Sequence, residues 1–230
     1  MADQRDPAFA PHSTRSAYDQ SVAEIRDDVL RMGAKVEQQV RSAVAAIGSR
    51  DEAAALKVIQ SDREVNDLQK RATGAIVTVI ATQNPVARDL RYLLTLDHVA
   101  YELERMGDHA SSVAKQARRL APLPPVDEAA LLHDLGAQVA ELVRGVTHAL
   151  VDADESEARR VAALDDEVDG GYRRLFDSML SAMRSDSGKV DAGTAILFAA
   201  HYLERIGDRV TNIAEDIVFL ASGEVEDLNP

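Results

Sequence analysis

The sequence predicts an all-α protein built from two tandem, internally duplicated three-helix bundles. Apolar residues recur at three- and four-residue spacing over long stretches, which is typical of helices packed in a bundle, and alternating strand-like runs are scarce. The chain also contains an internal repeat. Leu-Glu-Arg-Ile-Gly-Asp at 203–208 matches Leu-Glu-Arg-Met-Gly-Asp at 103–108 in five of six positions. Two copies in one helical register indicate a duplicated unit.

Breaks in the apolar periodicity divide the chain into six predicted helices. Gly48 followed by Asp51 is typical of one helix ending and the next being capped, and Asn84-Pro85 disfavours helix continuation. A Pro-rich stretch predicts a stiff linker between the two halves. The helices are expected at about 18–48, 51–82, 86–120, 127–151, 155–184 and 190–221, which gives a loose N-terminal tail (1–17), bundle 1 (18–121), a linker (122–126), bundle 2 (127–222) and an acidic C-terminal tail (223–230).

Composition excludes several classes of protein and site. The net charge of −13 argues against a nucleic-acid-binding protein and suits binding of cations or of a basic protein partner. The absence of cysteine excludes disulfides, iron–sulfur clusters and thiolate zinc sites. Residues 1–17 lack the apolar stretch of a signal peptide, so none is expected. No apolar stretch is long enough to span a membrane, and a cytoplasmic protein is therefore expected.

The repeated hexapeptide places two acidic pairs in equivalent positions. Glu104 and Asp108, like Glu204 and Asp208, are four residues apart and therefore share one helix face, which is expected to point away from the apolar seam. Like charges at this spacing destabilise a helix by about 0.2–0.5 kcal/mol, and a mid-helix glycine costs about 1 kcal/mol relative to alanine. A sequence selected only for a stable bundle would avoid both features.

A second acidic element precedes each pair. Oxygen-bearing residues recur four apart in the preceding helix of each half, and the short connection makes that helix an antiparallel neighbour of the first. Each bundle is therefore expected to present four oxygen ligands from two helices. The eight candidate metal ligands are Asp62, Asn66, Glu104 and Asp108 in the first half, and Asp165, Asp169, Glu204 and Asp208 in the second.

Clustered carboxylates without cysteine favour magnesium, calcium, manganese or iron, with zinc also in the expected set. His201, three residues before Glu204, is a further candidate ligand. The competing interpretation is a solvated acidic face, with Arg105 and Arg205 neutralising the aspartates one turn later. The sequence contains no catalytic constellation such as a phosphate-binding glycine loop or His-Glu-x-x-His, so no catalytic residues are predicted. A metal-dependent helical-bundle enzyme and a purely structural bundle stay as alternatives.

The motifs at 203–215 and 103–114, together with Asn-Pro-Val-Ala-Arg-Asp-Leu-Arg at 84–91, resemble the PhoU family of bacterial phosphate-signalling regulators. The resemblance covers nearly the whole chain after residue 17. It implies tandem three-helix bundles that hold multinuclear metal clusters, often of iron, and it adds Asp89 as a lower-ranked ligand. This sequence departs from the family pattern at Asn66, at Ser111-Ser112, and at Arg209, where the family usually has histidine.

The resemblance also implies a function. It predicts a cytoplasmic negative regulator of phosphate uptake and of the phosphate-starvation response, acting as an adaptor without enzymatic activity. The expected partners are the ATPase subunit of the phosphate ABC transporter and a phosphate sensor histidine kinase, so membrane association would occur only through them. A homodimer is also expected, and nucleic acid is not an expected ligand.

Overall fold

The structure is a computed structural model that describes residues 12–228, and over this range it is helical without β-strands. Seven α-helices and one 3-10 turn follow one another between residues 12 and 228. Their bounds are α1 His12–Ser49, α2 Glu52–Gln83, α3 Arg88–Leu120, α4 Ala129–Asp152, α5 Glu155–Ala163, α6 Asp165–Ser185, a 3-10 turn Ser187–Lys189, and α7 Val190–Ser222.

The helix ends follow from local chemistry. Asp51 and Asp154 cap α2 and α5, since each carboxylate accepts a hydrogen bond from a backbone N–H three residues later, at 2.9 and 3.0 Å. Asn84 ends α2 in a left-handed conformation before Pro85, and Gly223 ends α7 with φ of 83°. The helix cap that the sequence predicts at Asp51 is confirmed.

Two predicted boundaries differ from the structure. α1 begins at His12 rather than near Tyr18, because an established helix can extend on backbone hydrogen bonds beyond its apolar stripe; residues 1–11 of the predicted tail lie outside the described range. The single helix expected at 155–184 is two helices, which meet at Leu164. There the amide of Glu167 donates to the Leu164 carbonyl at 3.1 Å, a tighter turn than an α-helix makes.

α3 and α7, the helices that carry the repeated motif, pack against each other at the centre of the molecule. They run antiparallel, because His98 contacts Asp216 at one end and His109 stacks on Tyr202 at the other. α1 packs on α4, while α2 lies on α1 and α3, and α6 lies on α7. The two acidic elements of each half therefore face each other across one helix–helix contact.

Both halves contribute to one continuous hydrophobic core. Leu103 and Leu203 are fully buried in equivalent positions, as the internal repeat predicts. The buried Glu102 of α3 accepts hydrogen bonds from Arg209 of α7 at 3.2 and 3.4 Å, so an ion pair also joins the halves. The division of the chain at 122–126 stays a prediction. No helix in the described part of the chain is both long and apolar enough to cross a membrane.

Candidate metal centre

The first acidic cluster consists of Asp62, Asn66, Glu104 and Asp108, and it lies where α2 packs on α3. Asp62 is half-buried, and its Oδ2 accepts a hydrogen bond from Asn66 Nδ2 at 3.3 Å. Asp108 is close enough to act electrostatically on both Asp62 and Glu104. The structure therefore brings the four predicted side chains of the first half into one neighbourhood.

The second acidic cluster consists of Asp165, Asp169, Glu204 and Asp208, and it lies where α6 packs on α7. Asp165 is the deepest of the four, with 2% of its surface exposed. The hydroxyl of Thr211, itself buried, donates to Asp165 Oδ2 at 3.5 Å. Asp208, Asp169 and Glu204 all act electrostatically on Asp165. The four predicted side chains of the second half are thus also close together.

The glycine inside each repeated motif is explained by the acid of the neighbouring helix. A Cβ on Gly107 would lie 3.2 Å from Asp62 Oδ1, and a Cβ on Gly207 would lie under 3.0 Å from Asp165 Oδ1. Any larger residue would displace the acid, most severely in the second half. From the sequence alone, each glycine is a cost to helix stability without an evident cause. The structure supplies the cause, which is the close approach of a carboxylate from the preceding helix.

Burial and mutual repulsion make these carboxylates harder to ionise. Removal from water, followed by the charge of Asp208, raises the pKa of Asp165 to about 6. Removal from water is also the main reason that the pKa values of Asp62, Glu104 and Glu204 are raised. Each cluster therefore holds negative charge that the protein itself only partly compensates.

Basic side chains flank the clusters unevenly. Arg205 donates to Asp208 Oδ2 at 2.5 Å, and Arg173 donates to Asp169 Oδ2 at 3.0 Å. Arg105, by contrast, stays 3.8 Å from Asp108 and lies over the ring of Tyr101. The competing interpretation of arginine-neutralised aspartates thus describes Asp208 better than Asp108.

The C-terminal segment extends the second cluster. An open depression of about 490 Å³ is lined by Asp208, Thr211, Asn212, Glu215, Val225, Glu226 and Asp227. Arg159 of α5 holds the segment by donating to both oxygens of Glu226, at 2.8 and 2.7 Å. The acidic tail predicted from 223 onward therefore packs beside the metal candidates over its described part.

One geometric expectation was wrong. The glutamates of the acidic pairs do not point away from the packed surface, because Glu104 and Glu204 are only 24% and 22% exposed and face the preceding helix of their own half. Asp108, by contrast, is 47% exposed. A heptad pattern indicates one buried seam per helix, whereas α3 and α7 each pack against helices on more than one side.

The lower-ranked candidates occupy different places. His201 Nδ1 lies 3.4 Å from Glu204 Oε2, on the edge of the second cluster. Asp89 lies in the first turn of α3, about 22 Å from Glu104 at 1.5 Å per residue. His109 stacks on Tyr202, and burial together with Arg209 and Arg205 lowers its pKa to about 4. Asp89 thus lies apart from the predicted ligands, while His109, next to Asp108 in the chain, is engaged with Tyr202.

The donor chemistry of both clusters fits a hard cation, since every predicted ligand offers oxygen. Within residues 12–228, however, no three histidine, aspartate or glutamate side chains converge on one point at metal-binding distance. A bound ion would therefore require side-chain rotation. The inward-facing Asp62 Oδ1 is buried without a hydrogen-bond donor, and a buried acceptor in that state favours an additional positive or donating group.

Comparison with known proteins agrees with this architecture. A family profile described as "PhoU domain" matches the chain twice, over residues 29–117 and 132–217. The chain belongs to the PhoU family. A PhoU homologue of Clostridium acetobutylicum, named phosphate-specific transport system accessory protein, is 36% identical over 217 residues, covering 94% of this chain and 99% of that protein. PhoU of Escherichia coli K12, with the same description, is 31% identical, covering 90% and 86% respectively.

Solved PhoU structures share the fold. The crystal structure of PhoU from Pseudomonas aeruginosa superposes with a TM-score of 0.86 at 31% identity, covering 90% of this chain and all of that one. The phosphate transport system regulatory protein PhoU from Streptococcus pneumoniae gives a TM-score of 0.85 at 27% identity, covering 91% and 99%. The two matches of the PhoU profile fall on the two halves that the internal repeat predicts.

Proposed function

We propose that this protein regulates phosphate transport, as a negative regulator of phosphate uptake and of the phosphate-starvation response. Its relatives are named accessory or regulatory proteins of phosphate transport systems, which supports the role in phosphate transport. The observation that carries the proposal is the doubled acidic motif, with each copy packed on an acid of the preceding helix, in a chain of this family.

The proposed mode of action is that of a cytoplasmic adaptor rather than an enzyme. The partners would be the transporter ATPase subunit and the sensor histidine kinase, and the protein would act as a homodimer. Support comes from the form of the molecule: two similar acidic surfaces on one helical body with a shared core suit contacts with two proteins. The net charge of −13 favours basic partner surfaces.

The proposal also includes metal binding by the two acidic clusters. Asp62, Glu104 and Asp108, with the amide oxygen of Asn66, would hold metal in the first cluster. In the second cluster the ligands would be Asp165, Asp169, Glu204 and Asp208, with His201 at the edge. A bound divalent or trivalent cation, with multinuclear iron the arrangement that the family resemblance implies, would offset the carboxylate repulsion. The residues themselves would fix the relative positions of the paired helices at each partner surface.

A reporter experiment tests the regulatory role. Deletion of the gene is expected to derepress phosphate-starvation genes in high phosphate, and the wild-type gene on a plasmid is expected to restore repression. Glu204→Ala combined with Asp208→Ala should restore repression only in part if metal shapes the contact surface. Normal repression in the deletion strain, in the absence of a second copy of the gene, would contradict the proposal.

Metal binding is tested separately on purified protein. Saturating Mn²⁺ at about 100 times its Kd is expected to stabilise the folded state by about 2.7 kcal/mol per site. Asp208→Asn should reduce this gain while changing stability in EDTA by no more than about 0.5 kcal/mol. Asp177→Asn, an exposed change in the same half, should leave the gain intact. Equal shifts in melting temperature for Asp208→Asn and the parent would reject Asp208 as a ligand.

A further inference from the structure

Gln39 of α1 is a buried polar side chain beneath the first acidic cluster. Only 4% of its surface is exposed. Its Nε2 donates to Ser61 Oγ at 3.1 Å, and Ser61 Oγ donates in turn to the Val58 carbonyl at 2.8 Å. Its Oε1 has no hydrogen-bond donor. A glutamine placed in a bundle core with half of its amide unsatisfied requires an explanation.

The unsatisfied oxygen of Gln39 lies beside the acidic cluster. A Cβ on Gly107 would be 3.4 Å from Gln39 Oε1 and 3.2 Å from Asp62 Oδ1, so both oxygens approach the same point on α3. Asp62 Oδ1 is likewise buried without a donor. Two buried acceptors at one place are unfavourable, and one donor directed between them would satisfy the acid.

In the second half, the position equivalent to Gln39 carries no amide. The helix caps Asp51 and Asp154 are 103 residues apart, as are Asp62 and Asp165, so the counterpart of Gln39 is Leu142. Leu142 is buried and apolar. In that half the donor to the deep acid comes instead from Thr211 of α7. The counterpart of Thr211 in the first half is the buried Ser111, so Gln39 is an additional buried neutral residue suited to donate to the deep acid of that half.

We propose that Gln39 is a positioning residue for Asp62. With its terminal amide rotated by 180°, Nε2 donates to Asp62 Oδ1. Oε1 then accepts the hydroxyl proton of Ser61, which turns from the Val58 carbonyl toward the amide. Both buried side-chain acceptors are satisfied in this arrangement. The inner oxygen of Asp62 is then fixed, and the outer oxygen is held toward the other carboxylates. In other metal sites, loss of the hydrogen bond that orients a ligand lowers metal affinity about 10- to 100-fold.

This inference rests on the proposed metal binding, and the experiment separates the two. Mn²⁺ affinity is measured by calorimetry on the full chain carrying Glu204→Gln and Asp208→Asn. These two substitutions disable the second cluster and leave the first cluster intact. Gln39→Met keeps the length of the side chain and removes the amide. It is expected to weaken Mn²⁺ binding about 10-fold or more, while Gln38→Met, at the exposed neighbour, changes nothing.

A double-mutant cycle of Gln39→Met with Asp62→Asn distinguishes a positioning role of Gln39 from a general effect on packing. If Gln39 acts through Asp62, Gln39→Met has no further effect on Mn²⁺ affinity once Asp62 is changed. Melting in EDTA verifies that each variant is folded, and the apolar Leu142 at the equivalent place indicates that methionine will be accommodated.

Three results would overturn the proposal. No Mn²⁺ binding by the parent with its first cluster intact would reject both the metal site and the role of Gln39. Equal affinity in the parent and in Gln39→Met would reject the role of Gln39 alone. An equal loss of affinity with and without Asp62 would show that Gln39 does not act through that carboxylate.

Discussion

The two acidic clusters share one helical plan, yet they hold their deep acid differently. Asp165 is almost fully buried and lies against Gly207, while Asp62 is half-buried and lies less tightly against Gly107. The second cluster contains four carboxylates, whereas the first has the neutral Asn66 in place of the fourth. The second cluster therefore concentrates more negative charge in a less hydrated place.

This difference shows that burial, rather than the motif itself, sets the electrostatics of each cluster. Both motifs contain the same glutamate, glycine and aspartate, but α2 runs unbroken past Asp62, whereas α6 begins at Asp165 after the break at Leu164. The deeper acid has its pKa raised to about 6. A cation would consequently relieve more repulsion in the second cluster than in the first.

The largest expected effect distinguishes the two glycines. Gly207→Ala should destabilise the protein by about 2–3 kcal/mol, because its Cβ would displace the buried carboxylate of Asp165. Gly107→Ala should be nearly neutral, since its milder contact is offset by about 1 kcal/mol of helix propensity. Urea unfolding in EDTA measures both free energies.

Gly74 provides the control for that pair. It is an exposed glycine within α2, and a Cβ there would meet nothing within 4 Å. Gly74→Ala should therefore stabilise the protein by about 0.5–1 kcal/mol. Equal destabilisation by Gly107→Ala and Gly207→Ala would refute the difference in packing between the clusters.

The pH dependence of folding stability should show an effect of intermediate size, which arises from Asp165. Because folding raises the pKa of Asp165 from 3.8 to about 6, the folded state binds more protons than the unfolded state in this range. The contribution of Asp165 to stability therefore falls as pH rises from about 4 through 6 and stays low above that range. Asp165→Asn removes this fall, so its stability relative to the parent should increase by about 1–2 kcal/mol between pH 4 and pH 8.

Asp62→Asn tests whether this pH effect follows depth. The pKa of Asp62 is also raised by removal from water, but the side chain is less buried, so the same substitution should give a smaller change between the two pH values. Urea unfolding in EDTA at pH 4, 6 and 8 measures both variants. A larger change for Asp62→Asn than for Asp165→Asn would reverse the proposed ranking of the clusters.

The smallest effect concerns the flanking arginines. Arg205→Gln removes a direct ion pair with Asp208 and should cost about 0.5 kcal/mol, as is typical of partly exposed pairs. Arg105→Gln should cost less, because Arg105 lies 3.8 Å from Asp108. Thermal unfolding at low salt and in 1 M NaCl checks the cause, since salt should remove the difference. A difference that persists in high salt would point to packing instead.

The sequence was sufficient to predict the fold class and the pairing of the acidic elements. Apolar spacing predicts helices because burial of one helix face stabilises the fold, and the repeat places Leu103 and Leu203 in equivalent buried positions. The short connections between helices predict which ones are neighbours. These properties depend on local periodicity and chain order, and both can be read directly from the residues.

Only the tertiary structure determines how deeply each acidic side chain is buried and which side chains contact it. Asp62 and Asp165 occur in similar local sequences, but only packing against α3 or α7 determines how much water each retains. Gln39 belongs to an apolar stripe and carries no motif, so its place under Asp62 could not be predicted without the third helix. The reason is physical: desolvation and hydrogen-bond satisfaction depend on atoms from distant segments, whereas helical periodicity depends on neighbours in the chain.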